Sequence, residues 1–353
     1  HVVPYWSGKQ TVMEGLAHPF TGSASDAVDE LESLLKDTIG LQMIADVPLG
    51  AFLSGGVDSS TVVALMQTQS SRPVHSFSVG FHEEFYNEAQ NAKEVAKHLG
   101  TDHTEWYVTA QDALNVITRL PCLYDEPFAD SSQIPTVLLS RLTRRHVTVS
   151  LSGDSGDELF GGYKRYVMVN RVWKFLEYLP IHIRSMMAKV ICYFPPNAWN
   201  TLARTLSTML SKRSGMISYG DMLHKGAEVL TCRTVADLYI KLTSHWFDPA
   251  SLVLGATEPV TVLTGVINQP HFGCEVEQMM AMDMMTYLPD DILTKVDRAA
   301  MSASLETRIP FLDHRVVEFA WRLPFKYKIC GGGGKWALRQ ILYKYVPAEV
   351  SER

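Results

Sequence analysis

A short apolar run that breaks at two glycines constrains the fold of this chain more than any other feature. The run 49–53 leads into the string S-G-G-V-D-S-S at 54–60, and a helical pattern continues from there. This order predicts a strand, a tight turn and the N-terminus of a helix. Free backbone N–H groups and the positive end of the helix dipole would then face the turn, which suits an anion. The Asp58 carboxylate is of the kind that holds Mg²⁺ against phosphate oxygens, so the string favours a pyrophosphate site.

A plainer interpretation of the same string stays open at this point. Two glycines after a strand often make only a tight turn, and Ser or Asp after them often caps a helix. The string is not the Walker pattern, because the G-x-x-x-x-G-K-[ST] spacing and its lysine are absent. It resembles the pyrophosphate loop of enzymes that convert ATP to AMP and pyrophosphate while they adenylate a substrate.

The first half of the chain alternates strand and helix patterns. Helical stretches separate the first apolar run from three further strand patterns, at 74–81, 103–108 and 147–151. This alternation predicts an α/β fold with a doubly wound parallel sheet. Ligands of such sheets bind at the carboxyl ends of the strands, so we expect the turns that follow the strands to share one crevice.

The pattern changes near residue 163, where strand signals become scarce. We predict an irregular linker over 1–24, the α/β core over 25–162 and a large, mostly helical elaboration over 163–353. Within this last part, Gly331–Gly334 is interpreted as a flexible linker ahead of a helix.

The composition excludes several classes of protein. The chain has 353 residues, 46% hydrophobic and 20% charged, which is typical of a globular protein, and its net charge of −6 gives no reason to expect nucleic-acid binding. No segment reaches the roughly 18 apolar residues of a membrane span, and 186–194 is expected to be a core or interface helix. Five widely spaced cysteines predict buried free thiols in a reducing compartment, and we expect a cytoplasmic protein.

A second glycine-rich turn, S-G-D-S-G-D-E at 152–158, repeats the design of the first. It carries three acidic residues in five positions, Asp154, Asp157 and Glu158. Carboxylates packed this closely repel one another unless a cation shares the site. The turn therefore predicts an Mg²⁺ ligand beside a nucleotide, and a solvated acidic turn is the alternative.

The motifs occur in an order that identifies a family. The chain contains S-G-G-V-D-S-S, S-F-S-V-G-F, D-E-P-F-A-D-S-S, L-S-G-D-S-G-D-E-L-F-G-G-Y, L-P-D-D-I-L-T-K-V-D-R and L-E-T-R-I-P-F-L-D-H-R. Over roughly Tyr5 to Arg353 the set closely resembles the synthetase domain of glutamine-dependent asparagine synthetases. The resemblance implies a pyrophosphate-loop, adenine-nucleotide-hydrolase-like fold that uses ATP and Mg²⁺.

The resemblance also implies a role for particular residues. Adenine would lie against Leu53 and Val79, near Ser152 and Gly153, and Mg²⁺ would be held by Asp58 and Asp157. Asp154 stands where relatives carry a glutamate that assists ammonia attack, and Asp291 matches another acid of the substrate pocket. The residues that would cradle the pyrophosphate are Ser54, Gly55, Gly56, Asp58, Ser59 and Ser60.

The implied reaction joins ammonia to an aspartate-like substrate. The aspartate β-carboxylate attacks the α-phosphorus of ATP to give β-aspartyl-AMP, and ammonia then displaces AMP. The expected partners are an aspartate-like substrate, ammonia, a glutaminase domain of the same protein and a second copy in a homodimer. The charge and hydropathy of the chain predict no nucleic-acid or membrane partner. Two alternatives stay open: another carboxyl or sugar-linked acceptor in polysaccharide assembly, or a catalytically silent nucleotide-binding domain.

Two departures from the family pattern lead to one further expectation. The glutaminase domain is absent, and the sequence stops before the family's Pro-Lys segment, whose lysine stabilises charge on the phosphates. We therefore expect these 353 residues to bind ATP with little synthetase activity. Robust ATP- and ammonia-dependent formation of asparagine by them would contradict this.

Overall fold

The computed structural model describes residues 2–81, 88–209, 219–244, 246, 249–261, 272 and 274–352. The chain divides into two compact units, His1–Tyr163 with Met280–Arg353, and Lys164–Met279. The second unit begins one residue after the start, at 163, of the helical part that the sequence pattern predicts. Residues 280–353, which the sequence pattern assigns to the helical part, belong with the α/β unit.

A parallel sheet forms the centre of the first unit. Its strands are β1 (Leu49–Phe52), β2 (His75–Phe81), β3 (Asp102–Val108), β4 (Val149–Leu151) and β5 (Glu306–Arg308), in the order β3-β2-β1-β4-β5. All neighbouring strands are parallel, which confirms the predicted sheet. The strand β5 is missing from the sequence-based prediction, because three residues are too few to show an alternating pattern.

The strand order sets where a ligand can bind. β1 pairs with β2 on one side and with β4 on the other. The chain runs outward from β1 through β2 to β3 and then crosses to β4 on the opposite side of β1, where the strand order reverses. Such a switch point opens a crevice at the carboxyl ends of the two central strands. Ala51 is level with Leu151 in the register, so the two glycine-rich turns begin side by side.

Helices cover both faces of the sheet. On one face Val79, Phe81 and Trp106 pack against a cluster that includes Val116 and Val137. On the other face, Lys93 pairs with Glu105 at 2.6 Å. The doubly wound arrangement is thereby confirmed.

The first unit contains helices from both ends of the chain. Those before the second unit are α1 (Gly8–Ala17), α2 (Ala24–Gln42), α3 (Val57–Gln69), α4 (Ala89–Leu99), α5 (Ala110–Ile117), α6 (Leu120–Tyr124), α7 (Gln133–Arg144) and α8 (Gly156–Phe160). Those near the end of the chain are α15 (Thr294–Met301), α16 (His314–Arg322), α17 (Trp336–Leu342) and α18 (Ala348–Ser351).

The prediction of an irregular segment over 1–24 is wrong for Gly8–Ala17, which forms α1. The Ser7 side chain caps this helix by accepting a hydrogen bond from the Gln10 N–H at 3.4 Å. Gly15 suggests a break in the sequence, but its role is close packing against α16. A Cβ at Gly15 would lie 2.7 Å from the Trp321 Cβ.

The second unit is helical in its described part, as predicted. Its helices are α9 (Lys164–Glu177), α10 (Ile181–Tyr193), α11 (Pro196–Met209), α12 (Tyr219–Leu230) and α13 (Val235–Thr243), and α14 (Glu275–Met285) crosses the boundary at residue 280. Buried Arg184 on α10 donates to the Cys232 carbonyl at 2.8 Å.

The segment 186–194 is less buried than expected, because Met186, Val190 and Tyr193 are exposed on α10. Among the described residues, no helix has the length and apolar character to cross a membrane.

The cysteines are free thiols in the structure, as predicted, but most of them are not buried. Cys122, Cys192 and Cys330 are exposed, Cys274 is half-buried, and Cys232 is buried. The prediction of burial is therefore wrong for all but Cys232, because spacing along the chain does not determine which face of a helix or turn a cysteine occupies.

Candidate functional site

The first turn follows β1 and leads directly into α3. Gly55 has a φ of +72°, and a Cβ there would lie 2.7 Å from the Ala92 backbone nitrogen, so glycine is required. The Ser54 and Ser59 hydroxyls are 3.0 Å apart, and the Ser54 N–H donates to the Ser59 Oγ at 3.1 Å. These bonds close the turn around the helix N-terminus. The first backbone N–H groups of α3 have no partner within the helix and are available to an anion.

The second turn follows β4 and packs against the first. A Cβ at Gly153 would lie 2.6 Å from the Ser59 nitrogen, and one at Gly156 would lie 2.4 Å from the Asp58 Cγ. Ser155, between them, is held at a φ of +75°. The missing side chains at the two glycines allow the acidic turn to contact the start of α3. The two turns therefore form one surface.

A cavity of about 480 Å³ opens over this surface. It lies between residues of the first unit, at the carboxyl ends of β1, β2 and β4. Its volume is that of a small-molecule site. The predicted site residues that line it are Leu53, Ser54, Gly56, Asp58, Ser59, Val79, Ser152, Gly153, Asp154 and Asp157.

Three of the residues predicted for the site do not line this cavity. Gly55 shapes the turn from behind, against α4, and Ser60 is fully buried on α3. Asp291 is half-buried on a π-helical turn, Leu288–Leu293, whose neighbouring residue Ile292 does line the cavity. The roles predicted for these three residues stay predictions.

Burial changes the acidity of the carboxyl groups in the cavity. It raises the pKa of Asp58 to about 6, although the Lys335 ammonium favours the charged form. It also raises the pKa of Asp154, against the hydrogen bond that Asp154 accepts from the Ser152 Oγ at 2.5 Å. The pKa of Glu158 rises to about 7 for the same reason, while the Tyr163 hydroxyl donates to it at 2.6 Å. A cation that enters the cavity would stabilise these carboxylates in their charged forms.

Lys335 is a site residue that the sequence analysis missed. Its ammonium lies 2.5 Å from Asp58 Oδ2 and 2.8 Å from Asp157 Oδ1. The interpretation of Gly331–Gly334 as a flexible linker is wrong, because Cys330 and Gly333 exchange two backbone hydrogen bonds of 3.0 Å. The sequence signal that could have predicted Lys335 as a site residue is a glycine run that ends in a lysine at the start of a helix.

Lys295 is a second cation of the cavity that the sequence analysis missed. It lies within the quoted motif L-P-D-D-I-L-T-K-V-D-R and lines the cavity from α15. Its ammonium donates to Asp130 Oδ2 at 2.6 Å and to the Ser132 Oγ at 2.7 Å. This partly buried pair connects the motif D-E-P-F-A-D-S-S to the cavity wall.

The carboxylates fit a magnesium ion that arrives with phosphate. Within the described ranges, no group of three or more His, Cys, Asp or Glu side chains is arranged to hold a metal ion by itself. Asp58 and Asp157 both contact one cation, the Lys335 ammonium, and the buried Asp58 Oδ1 has no hydrogen-bond partner among the described residues. Mg²⁺ is commonly held by one or two carboxylates, with substrate phosphates and water completing its shell.

The fold defines the class: a doubly wound parallel α/β domain with two glycine-rich turns and a lysine at its switch point, where ligands of such domains bind. Comparison with known proteins identifies the family: the asparagine synthase family model matches residues 30–353. The chain belongs to that family.

Curated relatives agree with this assignment. A putative glutamine-hydrolyzing asparagine synthetase of Mycobacterium tuberculosis is 33% identical over 96% of this chain and 49% of its own length. Glutamine-hydrolyzing asparagine synthetase 1 of Bacillus subtilis is 29% identical over 92% of this chain and 48% of its own length. The chain thus spans about half the length of these relatives.

Proposed function

We propose that this chain is an amide-forming synthetase domain that uses ATP to activate the side-chain carboxylate of aspartate for attack by ammonia. The observation that carries the proposal is the contact between the two strand-end turns. It brings the N-terminus of α3, Asp58 and Asp157 to one wall of the cavity. A cleft with these groups suits the phosphates of a nucleotide with a divalent cation.

The cavity suggests how ATP would be positioned. The pyrophosphate part would lie over the turn at 54–59, where serine hydroxyls and backbone N–H groups can donate to it. Leu53 and Val79, which line the cavity at the ends of β1 and β2, would contact the adenine. The α-phosphorus would then face the acidic turn at 152–157.

Asp58 and Asp157 would hold Mg²⁺, which when bound neutralises the charge that develops on the leaving pyrophosphate. Lys335 would supply a further positive charge on the same wall. The two turns that carry Asp58 and Asp157 already contact each other in the ligand-free chain. Such preorganised charge is the usual source of rate enhancement in phosphoryl and nucleotidyl transfer.

Two bond exchanges complete the reaction. The β-carboxylate oxygen of aspartate forms a bond to the α-phosphorus as the bond to pyrophosphate breaks. Ammonia then adds to the activated carbonyl carbon, loses a proton, and AMP leaves with the carboxylate oxygen. Asp154, whose pKa is raised by burial, would accept the proton that ammonia loses.

A pyrophosphate-release assay tests the proposal. The full-length protein is incubated with ATP, Mg²⁺ and ammonium salt, with L-aspartate, with other carboxylic acids or sugar-linked carboxylates, or with no acceptor. We expect release that depends on L-aspartate and is lost in Asp58→Asn. Release with another acceptor and none with aspartate would favour the polysaccharide alternative. Nucleotide binding without release under any condition would favour a silent domain.

A further inference from the structure

Lys335 occupies the place between the two carboxylates to which the proposed function assigns the metal. Its ammonium donates to Asp58 Oδ2 at 2.5 Å and bonds Asp157 Oδ1 at 2.8 Å. The side chains of Lys335 and Asp58 are only 14% and 12% exposed. The lysine therefore neutralises a pair of acids that would otherwise repel each other in a largely buried site.

The backbone is shaped to deliver this ammonium. Lys335 itself has a φ of +61°, a conformation that side-chain-bearing residues rarely adopt. Its N–H donates to the Phe160 carbonyl at 2.9 Å, which fixes it to the end of α8. A Cβ at Gly162 would lie 2.0 Å from the Lys335 Cε, so the absence of a side chain there lets the lysine stem pass. A glycine at 334 is needed as well, because a Cβ would lie 2.1 Å from the Gly161 carbonyl oxygen.

Of the two lysines that line the cavity, Lys335 is the one that neutralises the Asp58 and Asp157 carboxylates. Five acidic residues line the cavity, Asp58, Asp154, Asp157, Glu158 and Glu88, with the two lysines. Lys295 is already bonded to Asp130 and Ser132. Burial disfavours the charge of Lys335, but the Asp58 and Asp157 carboxylates hold its pKa above the ordinary value.

An ammonium and a divalent cation cannot share these oxygens. Mg²⁺ needs its ligand oxygens at about 2.1 Å and in nearly ideal octahedral geometry. A metal ion on Asp58 Oδ2 would meet the positive charge of Lys335, which repels it strongly in a site shielded from water. Phosphate oxygens would give the displaced ammonium a new partner.

We propose that the Lys335 ammonium occupies the place of the metal in the nucleotide-free protein and holds the Asp58 and Asp157 carboxylates together there. It releases these carboxylates only when the metal enters with its nucleotide. The proposal rests on the proposed function for the identity of the ligand. It predicts that the free metal binds weakly and the metal–nucleotide complex binds well. Lys335 is thus a positioning residue that sets the order of binding.

Binding of Mn²⁺, followed by electron paramagnetic resonance without nucleotide, tests the exchange. We expect weak binding to the wild-type protein and binding more than roughly tenfold tighter in Lys335→Gln, because the competing charge is gone. Lys97→Gln, which removes an exposed lysine of α4, is the matched control and is expected to bind like wild type. Equal Mn²⁺ affinity in wild type and Lys335→Gln would overturn the proposal.

A second variant keeps the test decisive if Lys335→Gln does not fold, which a thermal melt would show. Lys335→Met retains the apolar stem that passes Gly162 and is expected to show the same gain in Mn²⁺ affinity. Its failure to do so would also overturn the proposal. Because this experiment contains no nucleotide, aspartate or ammonia, its failure is distinct from a failure of the proposed reaction in the pyrophosphate assay.

Discussion

Gly153→Ala should disturb nucleotide binding without touching any group that carries charge. The new Cβ would lie 2.6 Å from the Ser59 nitrogen and 2.9 Å from the Asp58 carbonyl carbon. Both neighbours are backbone atoms in the first turn of α3, so they cannot rotate away as a side chain would. Ordinary contacts begin near 3.5 Å, so one of the two turns must move by roughly 1 Å.

The displacement has two expected costs. Overpacking of this kind destabilises a protein by about 1–3 kcal/mol. The N–H groups of the first turn of α3 would also lose alignment with a bound phosphate, and each hydrogen bond to a charged group is worth about 1.5–3 kcal/mol. Loss of one such bond weakens binding of ATP with Mg²⁺ by about tenfold to a hundredfold.

Isothermal titration calorimetry with ATP and Mg²⁺ measures this effect. The matched control is Gly226→Ala, where a Cβ on α12 meets nothing within 4 Å. It is expected to bind ATP normally and to be slightly more stable, since alanine favours a helix over glycine by about 1 kcal/mol. If folded Gly153→Ala binds ATP as tightly as wild type, the packing of the two turns does not shape the nucleotide site.

Three further changes test the packing and the charges of the first unit. Burial favours the neutral form of Glu32, but the two lysines and the tyrosine bonded to it outweigh burial and lower its pKa from 4.5 to about 2. The contribution of Glu32 to the free energy of unfolding is therefore fully present above pH 4.5 and is lost as the pH falls through about 2. In urea unfolding, Glu32→Gln is therefore expected to cost at most about 3 kcal/mol at pH 7 and about half of that at pH 3, and a pH-independent cost would contradict this. Lys295→Met leaves the partly buried Asp130 carboxylate without its cation and should lower the free energy of unfolding by about 1–3 kcal/mol. Adding Asp130→Asn to Lys295→Met should recover part of this loss, and a double variant that recovers none of it would argue against the pair. Gly15→Ala, despite its better helix propensity, should lower the melting temperature through its clash with Trp321 at a cost of about 1–3 kcal/mol, and a stabilised variant would show that α1 does not pack this closely.

The parts of the site that lie on continuous motifs could be predicted from the sequence. The string at 54–60 follows a buried strand and precedes a helix, so the location of Asp58 and Ser59 follows from local physics. The acidic turn at 152–158 follows a strand in the same way. Parallel pairing of β1 with β4 then brings the two turns together, as the strand alternation implies.

The parts that depend on contacts distant in the chain could not be predicted. Lys335 reaches Asp58 across 277 residues of sequence, and no local pattern specifies this pairing. Gly334 and Gly162 are recognisable as close-packing glycines only after their neighbours are known. The strand β5 likewise exists because β4 offers it an edge, since Glu306 and Arg308 have side chains that do not favour a strand by themselves.

The transfer of oxygen from aspartate to AMP tests the central claim most directly. The full-length protein is supplied with ATP, Mg²⁺, ammonium salt and L-aspartate that carries ¹⁸O in its β-carboxylate, and the AMP is analysed by mass spectrometry. Attack of that carboxylate on the α-phosphorus, followed by displacement by ammonia, leaves one ¹⁸O atom in each AMP formed. We expect AMP labelled in proportion to the asparagine produced, and formation of asparagine with unlabelled AMP would contradict the account.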